Sequence, residues 1–267
     1  MEASFSSRLK GWRQRRGLSQ LELAMAAEVS QRHVSFLELG RTAPSRDMVL
    51  RLAAALALPL RQQNALLLAA GFSPQWREGS LAAPELAQVN QALDYMLQQQ
   101  DPYPAFVLDR RWNLLRANGG GRHLVAFLTD SPWSEPQPPI NLAQALVAPD
   151  QLRPLLANWR EVVIYFLRGV ANDALADGSE ETAALLERLR AYPGVPKSSE
   201  LSLDDRQDPI LAMHFVKGKA SLKLFTTLAT LGTPQHVTAQ EIRVECFFPA
   251  DVETAAILKG WAARSPL

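Results

Sequence analysis

Apolar residues in the first 72 positions recur at the three- and four-residue spacing of short amphipathic helices. Leu9 and Trp12 lie three apart in a first predicted helix, which Gly17 ends. Ser19, followed three residues later by Glu22, forms the capping-box pattern that begins a second helix. These signals predict consecutive helices with short connections.

Capping residues mark the other predicted helices. Either Ser6 or Ser7 is suited to begin the first helix, Ser30 begins the third, Ser45 begins the fourth, and a fifth follows Pro59. Five helices joined by short connections predict a compact all-α domain over residues 1–72.

The pattern changes after this domain. Residues 73–84, SPQWREGSLAAP, show no hydrophobic period and contain Pro, Gly and Ser, which is typical of a linker. Residues 85–267 mix helical and strand-like runs, and therefore predict an α+β domain with an antiparallel sheet. The predicted helices are ELAQVNQALDYMLQQQ (85–100), 141–147, 151–173, 180–191 and VETAAILKGWAAR (252–264). The predicted strands are PAFVLD (104–109), WNLLRAN (112–118), PILAMHFV (209–216), ASLKLFTTLATL (220–231) and IRVECFF (242–248).

The composition is that of a globular protein with a sizeable core, since 47% of the 267 residues are hydrophobic and 21% are charged. No apolar run reaches the roughly 18 residues that a membrane span needs. The first residues have no apolar stretch of the kind found in secretory signals. Cys246 is the only cysteine, which excludes an intrachain disulfide. We therefore expect a cytoplasmic protein without membrane association.

Charge is unevenly distributed along the chain, although the net charge is only +1. Residues 1–72 contain ten Lys or Arg and five Asp or Glu, a balance of +5. The remaining residues contain eighteen and twenty-two, a balance of −4. The first domain therefore has the sign of charge expected for a polyanionic partner.

Helices two and three are separated by AEVS, whose four residues match the connection of a helix-turn-helix. Val34 and Leu37 lie three apart in helix three and are expected to face the first two helices. Gln31, Arg32 and Ser35 lie on another side, near the start of the helix. Glutamine, arginine and serine at these positions are side chains that read base edges in the major groove of DNA.

Neighbouring residues are suited to other contacts. Phe36 continues the outward side, where its neighbour is either a thymine methyl group or the domain's own loop. Arg41 and Arg46 follow helix three and are placed for phosphate or minor-groove contact, although a single surface arginine more often only improves solubility. Helix starts also present free N–H groups to phosphate. The predicted DNA-contacting residues are Ser19, Gln20, Ser30, Gln31, Arg32, Ser35, Phe36, Arg41 and Arg46.

Residues 18–45, LSQLELAMAAEVSQRHVSFLELGRTAPS, resemble the helix-turn-helix of the phage-repressor and Xre-type regulators. Members of that family often pair an arginine of helix one with a glutamate that ends helix three. Arg13 and Glu38 match these two positions, so the resemblance implies an ion pair that holds helix one against helix three. Leu39 departs from the family, in which this position is often polar or charged.

A longer stretch, RHVSFLELGRTAPSRDMVLRLAAALALPLRQQNALLLAAGF, closely resembles the N-terminal domain of MmyB-like transcriptional regulators. The order of PAFVLDRRWNLLRAN, NLAQALV and NWREVV is also similar to theirs. The resemblance implies a helix-turn-helix joined to a PAS-like sheet domain that binds a small ligand. The likeness weakens after residue 190, where YPGVPKSSELSLDDRQDPILAMHFVKG departs from the family's usual sequence.

A ligand-sensing domain needs a cavity lined by apolar and aromatic side chains with a few polar groups. For any single residue, ordinary core packing is the more common role, and the domain is alternatively a dimerisation or protein-interaction module without a ligand. If a ligand binds, the apolar composition favours a fatty or aromatic molecule. The candidate lining residues are Phe106, Leu108, Trp112, Leu114, Phe127, Phe166, Met213, Phe215, Leu224 and Phe225.

Motifs of common enzymes are missing from the sequence: it contains no GxSxG, no P-loop and no HExxH. NGGGRHL, residues 118–124, is interpreted as a flexible turn into a helix. We predict no catalytic residues, no metal site and no cofactor, with an unrecognised enzyme as an alternative.

The predicted function is a sequence-specific, DNA-binding transcription regulator. It is expected to be a homodimer on operator DNA, because one short helix reads few base pairs.

Overall fold

The computed structural model describes residues 4–133, 140–196 and 210–264. The chain divides into two compact units. The first contains residues 1–80 together with 233–240, and the second contains 81–232 and 241–267. The second unit is therefore interrupted in sequence by a short segment that belongs to the first.

Five consecutive helices form most of the first unit, and the predicted all-α helix-turn-helix fold is confirmed. They are α1 Phe5–Arg15, α2 Gln20–Ala26, α3 Gln31–Glu38, α4 Arg46–Ala55 and α5 Leu60–Ala69. Serine side chains cap the first four of them, and the capping box of Ser19 and Glu22 is present. Helix α5 follows Pro59 without a side-chain cap.

The start of α1 differs from the prediction. Ser4, not Ser6 or Ser7, is the N-cap, and its hydroxyl accepts a hydrogen bond from the backbone N–H of Ser7 at 3.3 Å. Phe5 is buried in the core of the unit, so the helix extends far enough to include it. The buried side of α1 is therefore longer than the spacing of Leu9 and Trp12 indicates.

The elements that follow belong to the second unit, apart from one short helix. In chain order they are α6 Ala87–Gln100, β1 Ala105–Leu108, β2 Leu114–Ala117, α7 Gly119–Thr129, α8 Leu142–Val147, α9 Trp159–Asp177, α10 Glu180–Arg190, β3 Met213–Lys217, β4 Ala220–Thr230, α11 Val237–Glu241, β5 Arg243–Pro249 and α12 Val252–Arg264. Most of α11 lies in the segment 233–240 of the first unit.

The helix predicted over residues 151–173 is wrong at its start. A 3₁₀ turn occupies Arg153–Leu155, and α9 begins only at Trp159. Pro154 lacks the N–H that a continuous helix needs. The chain then becomes extended at Leu156, and the N–H of Ala157 donates to the carbonyl of His214 at the start of β3. The predicted strand 209–216 begins, as β3, at Met213; its first residue lies outside the described residues.

The five strands form one antiparallel sheet in the order β2-β1-β5-β4-β3, which confirms the predicted α+β, PAS-like fold. Side chains alternate between the two faces of each strand. Val107 and Val244 point to the face where Leu93 and Leu97 of α6 pack. The opposite face carries Phe106 and is covered by α7, α8 and α9.

The segment 233–240, which connects β4 to β5, makes defined hydrogen bonds inside the first unit. The N–H of Leu60 donates to Oε1 of Gln240 at 2.7 Å, and the N–H of Val237 donates to the carbonyl of Arg77 at 2.9 Å. The hydroxyl of Thr238 donates to the carbonyl of Gly79 at 2.7 Å. The chain between two neighbouring strands of the sheet is therefore a structural part of the helical unit.

Candidate functional site

Helix α3 presents a polar start above an apolar underside. Ser30 caps the helix and accepts a hydrogen bond from the N–H of His33 at 3.2 Å. Val34 and Leu37 are fully buried, as their spacing predicts. Gln31 and Arg32 are exposed at the first turn. The start of α3 is thus open to an outside partner, while its underside is fixed to the unit.

A buried ion pair joins α1 to the end of α3. Arg13 Nε lies 2.6 Å from Oε1 of Glu38, and its Nη2 lies 2.9 Å from Oε2, which confirms the pairing implied by the family resemblance. Gln20 Nε2 also donates to Oε2 of Glu38 at 2.8 Å. Burial raises the pKa of Glu38, but the hydrogen bonds from Arg13 and Gln20, with the charge of Arg13, outweigh it and hold the pKa below its ordinary value.

Three other predicted contact residues take part in the unit's own structure. Gln20 is engaged with Glu38, as described above. Arg46 donates from Nη1 to the carbonyl of Ser73 at 2.7 Å and from Nη2 to Oε1 of Gln75 at 2.5 Å. Ser19 caps α2. Their side chains therefore position the helices and the residues after α5.

Phe36 lies between two arginines. Its ring centroid is 5.1 Å from Cζ of Arg32 and 5.8 Å from Cζ of Arg41, within the range of cation–π attraction. Arg41 is exposed, and Ser35 is partly exposed one turn after Gln31. The outward side of the α3 region is consequently polar and basic, with the ring of Phe36 as its apolar centre. Its polar and basic residues are Gln31, Arg32, Ser35 and Arg41.

A cavity of about 320 Å³ lies on the Phe106 face of the sheet. The sheet forms its floor, and α7, α8 and α9 contribute apolar side chains such as Leu124, Leu146 and Val162 to its walls. Its size is at the lower end of the range of small-molecule sites, roughly 300–1,000 Å³. The second unit thus has room for a small molecule inside its own core.

The ten candidate lining residues separate into three groups. Phe106, Trp112, Phe166, Met213 and Phe215 line the cavity. Leu108, Leu114 and Leu224 belong to the same core cluster without lining the cavity. Phe127 packs against Trp261, with ring centroids 5.1 Å apart, and Phe225 stacks on Phe248 on the other face of the sheet.

Polar groups in the cavity were missed by the sequence interpretation. Glu245 and Thr226 lie on neighbouring strands of the cavity floor. Burial raises the pKa of Glu245 to about 7, although a hydrogen bond from Thr226 and the charge of Arg243 act in the opposite direction. The signal was a glutamate between Val244 and Cys246, in a strand whose other residues after Arg243 are apolar, on the same face as Phe247.

Comparison with protein families assigns both units. A helix-turn-helix family matches residues 9–63. The ligand binding domain of MmyB-like transcription regulators matches residues 89–260, which is more than half of the chain. The chain belongs to the MmyB-like transcription regulators. A comparison with curated proteins gives no significant match.

The matched MmyB-like ligand-binding domain contains every residue that lines the cavity, from Phe106 to Phe247. The matched helix-turn-helix region contains α3 and its exposed polar start. Both matched families are regulatory domains. No helix in the described ranges has the length and apolarity to cross a bilayer.

The three glycines that begin α7 have a packing role in this MmyB-like domain. They lie in the first turn of the helix, after the N-cap Asn118, and so do not form the predicted flexible turn. A Cβ on Gly120 would lie 2.4 Å from the carbonyl oxygen of Pro102, and one on Gly121 would lie 2.8 Å from Cε1 of Phe106. Helix α7 therefore packs against β1 and against the residues that precede β1, too closely to leave space for a side chain at Gly120 or Gly121.

Gly120→Ala is expected to lower the free energy of unfolding of the second unit by about 1–3 kcal/mol, because the added methyl group meets backbone atoms that must shift. Gly260→Ala is the matched control, since a Cβ there meets nothing within 4 Å in α12. The control is expected to stabilise by about 0.5–1 kcal/mol, the usual helix preference for alanine. Urea unfolding measures both, and equal effects of the two substitutions would contradict the packing role.

Proposed function

We propose that the protein is a sequence-specific transcription regulator whose affinity for operator DNA depends on a small apolar molecule held in the cavity. The observation that carries the proposal is a cavity of about 320 Å³ inside the matched ligand-binding region of a chain that also has a helix-turn-helix. A sensor requires these two elements together.

The exposed start of α3 supports the DNA-reading part of the proposal. Gln31 and Arg32 extend from the first turn, and glutamine and arginine pair bidentately with adenine and guanine. The Arg13–Glu38 pair holds α3 against α1 beneath them. Arg41 supplies an exposed positive charge beside them for phosphate contact.

The lining of the cavity supports an apolar ligand. Leucine, valine and aromatic side chains make up most of the lining, and in the described chain no lysine, arginine or histidine is among the lining residues. A phosphate or sugar-phosphate ligand needs cationic or multiple polar partners, which this set of side chains lacks. We therefore propose a fatty or aromatic ligand class.

We also propose a homodimer, because one short helix reads only a few base pairs and a two-fold dimer doubles the site. The ligand changes operator affinity only if it binds the DNA-competent and DNA-incompetent arrangements unequally. We propose a cytoplasmic protein with no catalytic activity and no cofactor.

The test is selection of preferred sequences from random duplex DNA by the full chain, followed by binding titrations with and without a panel of fatty and aromatic molecules. A preferred, two-fold symmetric sequence and a ligand that changes its affinity by at least several-fold are the expected results. No preferred sequence at low salt would contradict the DNA-reading role. A preferred sequence that no panel member affects would favour a dimerisation module without a ligand.

Gln31→Ala is expected to weaken binding to the selected operator by about 1–3 kcal/mol and to relax the preference at one base pair, because the side chain reads a base edge. The measurement is a titration against operators that carry single base changes. Arg41→Ala is the comparison variant. It is expected to lower the affinity for all DNA sequences alike, and to reduce the slope of log affinity against log salt concentration by the amount of about one phosphate contact. An unchanged ranking of operators with Gln31→Ala would contradict the assignment of α3.

A further inference from the structure

Glu245 gives the cavity a polar position that the proposed ligand class leaves unexplained. It lies on β5 with Phe247 on the same face, and it is paired across the sheet with Leu228 of β4. Thr226 lies on the same face of β4, and its hydroxyl is hydrogen-bonded to the carboxyl group of Glu245. A carboxyl and a hydroxyl therefore lie together on a floor that is otherwise apolar.

Side-chain exposure differs along the floor of the cavity. Side chains on the cavity face of β4 become more exposed along the strand: Leu224 is buried, Thr226 is partly exposed and Leu228 is 47% exposed. Phe215 and Phe247, which also line the cavity, are buried. A bound molecule therefore places an apolar body toward Phe215 and Phe247 and a polar group at Glu245, nearer the exposed end.

The lining offers a carboxylate ligand no positive partner. Glu245 is the one carboxyl group among the lining residues of the described chain, and Tyr165 is the other titratable group among them. The charge of Arg243, also on β5, lowers the pKa of Glu245, and Nη1 of Arg243 lies 2.5 Å from Oδ2 of Asp173 on α9. An ionised ligand carboxylate would therefore face a carboxyl group, with the neighbouring guanidinium already paired.

We propose that this site selects an apolar molecule with a neutral hydrogen-bond donor, a hydroxyl or amide N–H, at Glu245, in preference to one that ends in an ionised carboxylate. The inference rests on the proposed ligand-sensing function and specifies its ligand. A neutral donor is accepted by Glu245 in either protonation state. A carboxylate binds only with uptake of a proton that the two carboxyl groups share.

Decan-1-ol and decanoate test the proposal, because they share the same apolar chain and differ at the end group. Binding of each to the full-length protein is measured by calorimetry at pH 6 and pH 8.5. The alcohol is expected to bind at least tenfold more tightly than the acid at pH 8.5. Since Glu245 titrates with a pKa of about 7, the affinity for the acid is expected to fall by about tenfold per pH unit above that value, whereas the alcohol changes little.

Glu245→Gln is expected to reduce the preference for the alcohol at pH 8.5 by at least tenfold, because the amide donates to a carboxylate and has no charge. Glu253→Gln removes a charge from an exposed residue of α12 and is the matched control, expected to keep the preference. Thr226→Val provides a milder second variant. It removes a hydrogen bond that favours the ionised carboxyl, so the pH at which decanoate binding weakens should rise.

Three results would overturn the inference. Equal or tighter binding of decanoate at pH 8.5, or an unchanged preference in Glu245→Gln, would remove the selection by Glu245 and leave the proposed apolar-ligand sensing intact. Failure of both molecules to bind, with operator selection preserved, would remove the inference together with the fatty ligand class.

Discussion

Glu38→Ala is expected to lower the free energy of unfolding of the helix-turn-helix unit by about 3–5 kcal/mol, the usual effect of removing one partner of a buried ion pair. The side chains of Glu38 and Arg13 are 2% and 12% exposed, so the substitution leaves a guanidinium buried without its carboxylate. Gln20 loses its acceptor in the same step. Hydrogen exchange at the amides of α1 and α3 measures the effect within this unit.

Two further variants distinguish the contribution of the ion pair to stability from that of side-chain packing. Glu38→Gln keeps a side chain that accepts a hydrogen bond and is expected to destabilise less than Glu38→Ala. Arg13→Met combined with Glu38→Leu removes both charges and is expected to be more stable than Glu38→Ala alone, since apolar replacement of a buried pair is often nearly neutral. If the double variant showed the sum of two large single losses, unpaired charge would not be the cause.

The pH dependence of this pair has a defined sign. The pKa of Glu38 in the folded unit is below the ordinary value of 4.5, because its hydrogen bonds and the charge of Arg13 outweigh burial. A depressed pKa contributes stability that is fully present above 4.5 and is lost as the pH falls through the lower, folded-state pKa. Wild-type protein should therefore lose more stability than Glu38→Gln between neutral and acid pH.

Local sequence signals account for most of what was correctly predicted. Three local signals act over three or four residues and are readable without tertiary structure: the Ser19–Glu22 capping box, the spacing of Val34 and Leu37, and Gly17 after α1. The strand-like runs likewise predicted the antiparallel sheet. The pairing of Arg13 with Glu38 came from family resemblance, because its partners are 25 residues apart.

Hydrogen bonds between side chains and residues far away in the sequence were not predictable from the sequence. Gln20 and Arg46 have the chemistry of phosphate contacts, yet their partners lie 18 and 27 residues away within the unit. Likewise, the alternation in β5 places Glu245 and Phe247 on one face without indicating which face encloses the cavity. That choice depends on where α7, α8 and α9 pack.

Trp112 forms part of the cavity wall at a strained position. Its φ is +66°, in the left-handed region that residues other than glycine seldom adopt, and it is only 8% exposed. The Asp109 carboxylate fixes this turn by accepting from the N–H groups of Arg111 and Asn113 at 2.8 and 2.9 Å. The indole then meets the ring of Phe166 edge-on, with centroids 4.6 Å apart. Packing therefore offsets the backbone strain.

Trp112→Ala is expected to destabilise the second unit by about 3–5 kcal/mol, because a buried indole is replaced by empty space next to an existing cavity. Trp112→Gly loses the same indole, but glycine adopts the positive φ without strain. The glycine variant should therefore be at least as stable as the alanine variant. Glycine ordinarily destabilises by about 0.5–1 kcal/mol relative to alanine, so this order would be reversed. Chemical unfolding of both variants, with hydrogen exchange to locate the change, measures the difference. Two results would show that packing of this residue does not hold the turn in its strained conformation. One is a loss below about 1 kcal/mol for Trp112→Ala. The other is a glycine variant that is less stable than the alanine variant by the usual amount.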